Sequence, residues 1–284
     1  MRQSLNMMSI DNDDQTKIYT GARTLKENLR LFIDFRELLL TWTAREIKGR
    51  YRQSVLGFGW AFIQPVVQIV VISIVFGRFM QVPSEGVPYP IFSFVAILPW
   101  TFFSGAVTAA IPSLLGSMDL ITKIFFPREF IPLAAIVARL VDLFIASLVL
   151  ILLMLYYHIP FYPTLLFTPL LLIIQIMLSI GIGLIGSAIS VFLRDISFAL
   201  PLVMQIWMYA TPVIYPLSVI PEKWRTLYSL NPMVGIIDSY RRVVLLGQFP
   251  DYRYLGISVL FSIVLFVFAY IYFKRLELFM ADIV

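Results

Sequence analysis

An all-α protein with several membrane-spanning helices is the fold class this sequence predicts, and three observations predict it. Of 284 residues, 60% are hydrophobic and 14% charged, whereas an ordinary domain is about half apolar and a quarter charged. Apolar runs of membrane-crossing length, about 20 residues, recur along the chain. The charges gather between those runs, and the mean hydropathy is +0.86. A water-soluble enzyme, a disordered chain and a collagen-like fibre are excluded on composition. Cysteine is absent and His158 is the single histidine. Disulfide frameworks, thiolate metal sites and cysteine nucleophiles are therefore excluded, and neither a metal site nor a catalytic residue is expected.

The elements follow in order. Residues 1–27 form a polar tail, with no run long enough for a cleavable signal. Residues 28–54 predict an amphipathic helix, because Leu31, Phe35, Leu38 and Trp42 follow the i, i+4, i+7, i+11 spacing of one stripe. Beyond Trp42 nearly the same azimuth passes to Arg45, Lys48 and Arg52. A stripe that turns from apolar to cationic suits a helix in the headgroup layer. It serves as a surface anchor or as a docking site for a phosphate or a partner. Residues 55–284 predict a six-span region, with spans at about 55–79, 88–116, 130–157, 164–193, 196–215 and 254–273. Pro221 and Pro232 divide the stretch 217–249 into apolar pieces too short to cross, which predicts re-entrant half-helices between spans five and six.

Orientation follows from the cations. Residues 1–57 hold ten of the twenty-two Lys and Arg, and Lys123, Arg128, Arg194, Lys274 and Arg275 fall on the same side. The positive-inside rule then places both termini in the cytoplasm. Arg241, Arg242, Lys223, Arg225 and Arg253 lie in the long opposite connection and weigh less.

Within the spans, Gly181, Gly183 and Gly186 satisfy G-x-G-x-x-G. A dinucleotide fingerprint needs a preceding strand, so this mid-span sequence predicts a small-residue packing face, with Ser179, Ser187 and Ser190. Arg139 and Asp142 share a helix face, about 15 Å into the membrane by helical rise, and predict a local ion pair that stabilises packing, ahead of a functional role for the two charges. Trp60, Trp100, Trp207, Tyr209 and Tyr215 are belt residues or line a path for sugars; the sequence leaves both open. No G-x-x-x-x-G-K-[ST] sequence occurs, so ATP hydrolysis is expected on another chain.

The run Arg45-Glu46-Ile47-Lys48-Gly49-Arg50-Tyr51-Arg52-Gln53-Ser54-Val55-Leu56-Gly57, with Trp60 and Pro65, resembles the approach to the first span in ABC transporter permeases that export polysaccharides. Ile121-Thr122-Lys123-Ile124-Phe125-Phe126-Pro127-Arg128-Glu129 is similar to that family's loop between spans two and three. Phe192-Leu193-Arg194-Asp195-Ile196, Thr211-Pro212-Val213-Ile214-Tyr215 and Asn231-Pro232-Met233 match its later landmarks in order. The resemblance runs from about Leu38 to Lys274.

The resemblance implies a permease subunit of the bacterial inner (plasma) membrane that pairs with a second copy and with two nucleotide-binding ATPase subunits. Its cargo would be O-antigen, capsule or teichoic-acid chains on a lipid carrier. It implies no cofactor on this chain, with ATP and Mg on the partner, and no nucleic-acid partner. The segment Thr122, Lys123, Ile124, Phe125, Phe126, Pro127, Arg128 and Glu129 would couple to the ATPase, Phe125 and Phe126 acting as apolar knobs. A substrate pyrophosphate would be drawn to Arg45, Lys48, Arg50 or Arg52. Rival readings are an exporter of a drug or small lipid, a membrane-embedded glycosyltransferase and a structural scaffold. The scattering of Asp119, Glu129, Asp142 and Asp238 counts against the glycosyltransferase.

Overall fold

The structure is a computed structural model that describes residues 35–52, 55–57, 59–117 and 126–280, the side chains of 278–280 excepted. The polar tail 1–27 and coupling residues 122–125 lie outside the described residues. Helices and turns account for the described chain, and no strand occurs among those residues. In chain order the α-helices are α1 (Arg36–Tyr51), α2 (Gly59–Ile72), α3 (Tyr89–Ala110), α4 (Phe130–Tyr156), α5 (Thr168–Phe192), α6 (Asp195–Tyr209), α7 (Glu222–Tyr228), α8 (Pro232–Arg241) and α9 (Tyr252–Met280). A π-helical segment (Ser73–Phe79) extends α2, another (Arg242–Leu246) extends α8, and a 3₁₀ turn (Pro163–Phe167) leads into α5.

Five segments are long and apolar enough to cross a membrane: Gly59–Phe79, Tyr89–Ala110, Phe130–Tyr156, Pro163–Phe192 and Tyr252–Glu277. The expected fifth span, 196–215, is different. Its helix α6 ends at Tyr209, and fifteen residues reach only about 22 Å, short of a hydrocarbon layer about 30 Å thick. Pro212 lies just past that end, and the residues from Thr211 to Tyr215 fold as a turn.

Helix α3 is the axis of the bundle. Its most apolar window is 78% buried, against 11–33% in the other four long helices. It carries no charge at any azimuth, as a helix surrounded by others must. Phe92, Phe94, Phe103, Ala106 and Ala110 are almost wholly enclosed. Pro99 inside it is partnered across the bundle, where Gln175 Nε2 donates to the Pro99 carbonyl.

The small residues of α5 give α3, α4 and α9 close access. A Cβ on Gly186 would meet Ile111 at 2.5 Å, one on Gly183 would meet Ala110 at 3.0 Å and Ile136 at 3.1 Å, and one on Gly181 would meet Leu265 at 3.0 Å. Ser190 Oγ adds a hydrogen bond to the Ile111 carbonyl at 2.8 Å. This is small-residue helix packing, and no strand precedes the glycines. Outward faces remain apolar, with Val67 and Val70 of α2, Ile74 of its π-helical extension and Phe198, Leu202 and Ile206 of α6 exposed.

Candidate functional site

Two polar constellations flank the apolar bundle, one around α1 and one around α8. At the α1 end, the stripe predicted for the interfacial helix is turned onto the protein itself. Phe35 meets Phe130 with ring centroids 6.3 Å apart. Trp42 stacks on Phe126 at 5.9 Å, in a cluster with Ile131, Leu184, Ala188 and Phe273. Arg45 lies over the Trp42 ring at 4.9 Å.

Helix α1 therefore runs beside the first half of α4, start against start. Its far end is fixed by charge. Arg50 Nη1 reaches Asp142 Oδ2 at 2.5 Å, and the Tyr51 hydroxyl donates to Asp142 Oδ1. Arg139 Nη1 approaches the same Oδ2 at 3.4 Å. The pair Arg139–Asp142 is thus one part of a four-residue cluster that ties α1 to α4 across 92 positions of sequence. Burial, with the bond to Asp142, pushes the Tyr51 phenol up to about 12.

The segment before α4 is held as firmly. Phe126 is 7% exposed, enclosed by Trp42 and its neighbours. Glu129 is 3% exposed and accepts from Lys274 Nζ of α9 at 2.7 Å. Lys274 also reaches Glu277 at 2.9 Å. The Arg128 amide donates to Glu277 Oε1 and its guanidinium to the Glu277 carbonyl, both at 3.2 Å. Burial raises the Glu129 carboxyl, against the lowering pull of Lys274. Lys48 and Arg52 point to the surface, and Arg50 is half-buried.

At the α8 end the centre is Arg241, 2% exposed. Its Nη1 donates to the carbonyls of Pro212 at 2.7 Å and Tyr215 at 2.9 Å, and its Nη2 to Val213 at 2.7 Å. The guanidinium sits 4.0 Å above the Phe92 ring of α3. The Tyr89 hydroxyl takes the remaining Ile214 carbonyl at 2.8 Å. Carbonyls of the turn after α6, exposed by the loss of helical partners, are therefore met by side chains from α3 and α8.

Asn231 completes this end. Its Oδ1 caps α8 by accepting from the Met233 amide at 3.1 Å and accepts from Trp207 Nε1 at 3.0 Å. Its Nδ2 donates to the Ala210 carbonyl at 3.0 Å and Thr211 Oγ1 at 2.9 Å. A hollow of about 460 Å³ lies beside it, lined by Trp207, Ala210, Trp224, Leu227, Tyr228 and Asn231. The Tyr215 and Tyr228 hydroxyls meet at 2.6 Å.

The aromatic residues singled out in sequence fall into different settings. Trp207 and Tyr215 gather at the α8 end. Trp60 and Tyr209 are exposed on the outer surface of the chain. Trp100 is 4% exposed and packs 5.7 Å from Phe103 in the core. Sequence reasoning passed over Arg241, which counted only as one cation of a long connection. The available signal was an arginine ending a short helix in which Asp238 is the one other charge. Among the described residues, no grouping of His, Cys, Asp and Glu could hold a metal ion.

An apolar helical bundle with five membrane-length segments, and with its polar side chains spent on joining helices, defines a multi-span membrane protein. The chain belongs to the ABC-2 type transporter family, which matches residues 37–245. An O-antigen export system permease protein, RfbA, of Myxococcus xanthus is 34% identical over 241 residues, covering 84% of this chain and 91% of its own. The RfbA of Klebsiella pneumoniae is 28% identical over 260 residues, 91% of this chain and 98% of its own. The polysialic acid transport protein KpsM of Escherichia coli is 28% identical over 242 residues, 82% of this chain and 91% of its own.

Proposed function

We propose that this chain is the membrane subunit of an ATP-driven exporter that moves a lipid-linked polysaccharide out of the cytoplasm. The observation that carries the reading is similarity along most of its length to proteins named for O-antigen export and polysialic acid transport. Two copies of the chain would enclose the path, and two ATPase subunits would bind ATP and Mg on the cytoplasmic face. Both termini lie inside the cell in this arrangement, and the membrane is the bacterial inner membrane.

In the full assembly α6 and the turn through Tyr215 together make a sixth, shorter crossing. Helices α7 and α8 re-enter from the outer side and cap the path. The apolar surfaces of α2 and α6 face lipid or the second copy. Residues 28–54 belong to the cytoplasmic interface, and 55–284 form the permease domain.

The segment Thr122–Glu129 receives the ATPase stroke. Phe126 is anchored inside by Trp42, so contact with the ATPase falls to the residues before it, Phe125 among them. Arg128 and Glu129 pass the movement to α4 and α9 through Glu277 and Lys274. Arg45, Lys48, Arg50 and Arg52 attract the pyrophosphate of the carrier lipid. Trp207, Tyr209 and Tyr215 offer ring faces to sugars along the path, with Trp60 nearer its rim, while Trp100 shapes the path from within the core.

The test is co-purification of the chain with an ATPase subunit and measurement of ATP hydrolysis. A lipid-linked polysaccharide should stimulate hydrolysis several-fold, and Phe125→Ala should remove the stimulation while leaving the permease inserted. Stimulation by a small apolar drug and none by the glycan would overturn the substrate class.

A further inference from the structure

A hollow of about 320 Å³ opens where α1 crosses the α3–α4 pair. Arg45, Glu46, Gly49 and Arg50 of α1, Ala109 of α3 and Arg139 of α4 line it. Behind it lies Asp142, whose Oδ2 is shared by two guanidiniums at 2.5 and 3.4 Å. The longer contact exceeds the usual 2.7–3.2 Å range of an N–H···O bond. Arg139 Nε is buried and has no hydrogen-bond partner. Its cationic hydrogen-bonding capacity is only partly used, which is costly in such a place.

Counting every charge in the cluster, Arg45, Arg50 and Arg139 stand against Glu46 and Asp142, an excess of one cation. The surroundings leave room for something to use it. Gly49 and Ala109 put no long side chain into the hollow, and a Cβ on Gly49 would meet nothing within 4 Å. Depth is consistent with a headgroup. Helix α4 has 27 residues, about 40 Å, and exceeds the hydrocarbon thickness by about 10 Å. Arg139 lies nine residues from its start, so the first turns of α4 can stand clear and leave Arg139 near the edge of the apolar layer.

We infer that this hollow is a phosphate site for a lipid, with Arg139 and Arg50 as ligands, Arg45 at the rim, and Asp142 as the internal carboxylate that competes with the phosphate. The inference deepens the proposed pyrophosphate attraction on α1: it rests on that reading, narrows the four α1 cations to two and adds Arg139 from α4. The shared chemistry is a phosphate ester on an isoprenoid or a glycerolipid. Guanidinium forks match phosphate oxygens two at a time, whereas the outward Lys48 and Arg52 offer only screened surface charge.

The full-length chain in detergent, titrated with undecaprenyl diphosphate, dioleoyl phosphatidylglycerol or inorganic diphosphate and read by native mass spectrometry, tests this. Arg139→Gln should weaken both lipids about tenfold, the loss of one charge-assisted contact. Asp142→Asn should tighten them about threefold or more by releasing both guanidiniums. Arg194→Gln, an exposed cation outside the hollow, should change either affinity less than about twofold. Preference for undecaprenyl diphosphate assigns the hollow to the transported lipid, preference for phosphatidylglycerol to the membrane's own; either upholds a phosphate site.

Unchanged binding in Arg139→Gln overturns the site. If Arg50→Gln still weakens binding in that case, the broader α1 reading survives; if neither variant matters, both fall. Should Arg139→Gln fail to fold, Asp142→Asn decides, and weaker or unchanged binding there overturns the site. Inorganic diphosphate that weakens in Arg139→Gln as the lipids do supports a phosphate site. Lipids that follow Arg139 while inorganic diphosphate binds both proteins equally would show that Arg139 does not act on the phosphate, and would overturn the site.

Discussion

The two ends of the bundle solve the same problem with opposite chemistry. Around α8, one buried cation is answered by neutral carbonyls: Arg241 takes those of Pro212, Val213 and Tyr215 and rests on the face of Phe92. Around α1, cations are answered by carboxylates, and partners are shared, one carboxylate between two cations or one cation between two carboxylates. Asp142 serves Arg50 and Arg139, and Lys274 serves Glu129 and Glu277. A guanidinium locked to three backbone carbonyls has one arrangement. A carboxylate shared between two cations compensates each of them only in part. The α8 end holds a turn in place through neutral partners, and the α1 end ties helices together through shared charges.

That contrast orders the consequences of mutation. Arg241→Leu should be the most damaging, about 3–5 kcal/mol, because three enclosed carbonyls lose their donors at once; it reads out as a fall in the unfolding midpoint of the purified protein. Glu129→Gln comes next at about 2 kcal/mol, since Lys274 keeps Glu277 and loses only part of its compensation. The exchange of Glu129→Lys with Lys274→Glu should recover part of that loss in thermal unfolding. Asn231→Ala should cost about 1–2 kcal/mol through the lost helix cap and the freed Trp207 indole. Glu222→Ala should stay within about 0.5 kcal/mol, because its pair with Arg225 is open to solvent. An Arg241→Leu variant no more damaging than Glu129→Gln would dissolve the distinction between the two ends.

Much of the fold was legible because hydrocarbon imposes a simple rule on sequence. The long apolar runs of α2, α3, α4, α5 and α9 announce themselves by length. The run at 196–215 does so too, but Pro212 and the demand for carbonyl partners convert its last third into a turn, which hydropathy does not register. The stripe of Phe35, Leu38 and Trp42 was visible as a stripe. Periodicity states that a face is covered and not by what, and here the covering is Phe126, Phe130 and α9 rather than lipid. Arg139 and Asp142 were recognisable as partners from their spacing of three. Arg50 and Tyr51 were not, since contacts spanning some ninety residues leave no trace in local pattern. Arg241 stayed hidden for the same reason: its partners are backbone carbonyls, which carry no side-chain signature.

The central claim is that the chain is a conduit whose work is supplied by another subunit. Reconstitution into sealed vesicles, with and without the partner ATPase, measures it directly by following ATP-dependent appearance of a labelled lipid-linked polysaccharide on the far side. Transport should require the chain, the ATPase and ATP together, and should fail with any one withheld. Glycan transfer or elongation by the chain alone, or translocation undiminished without the ATPase, would contradict the account.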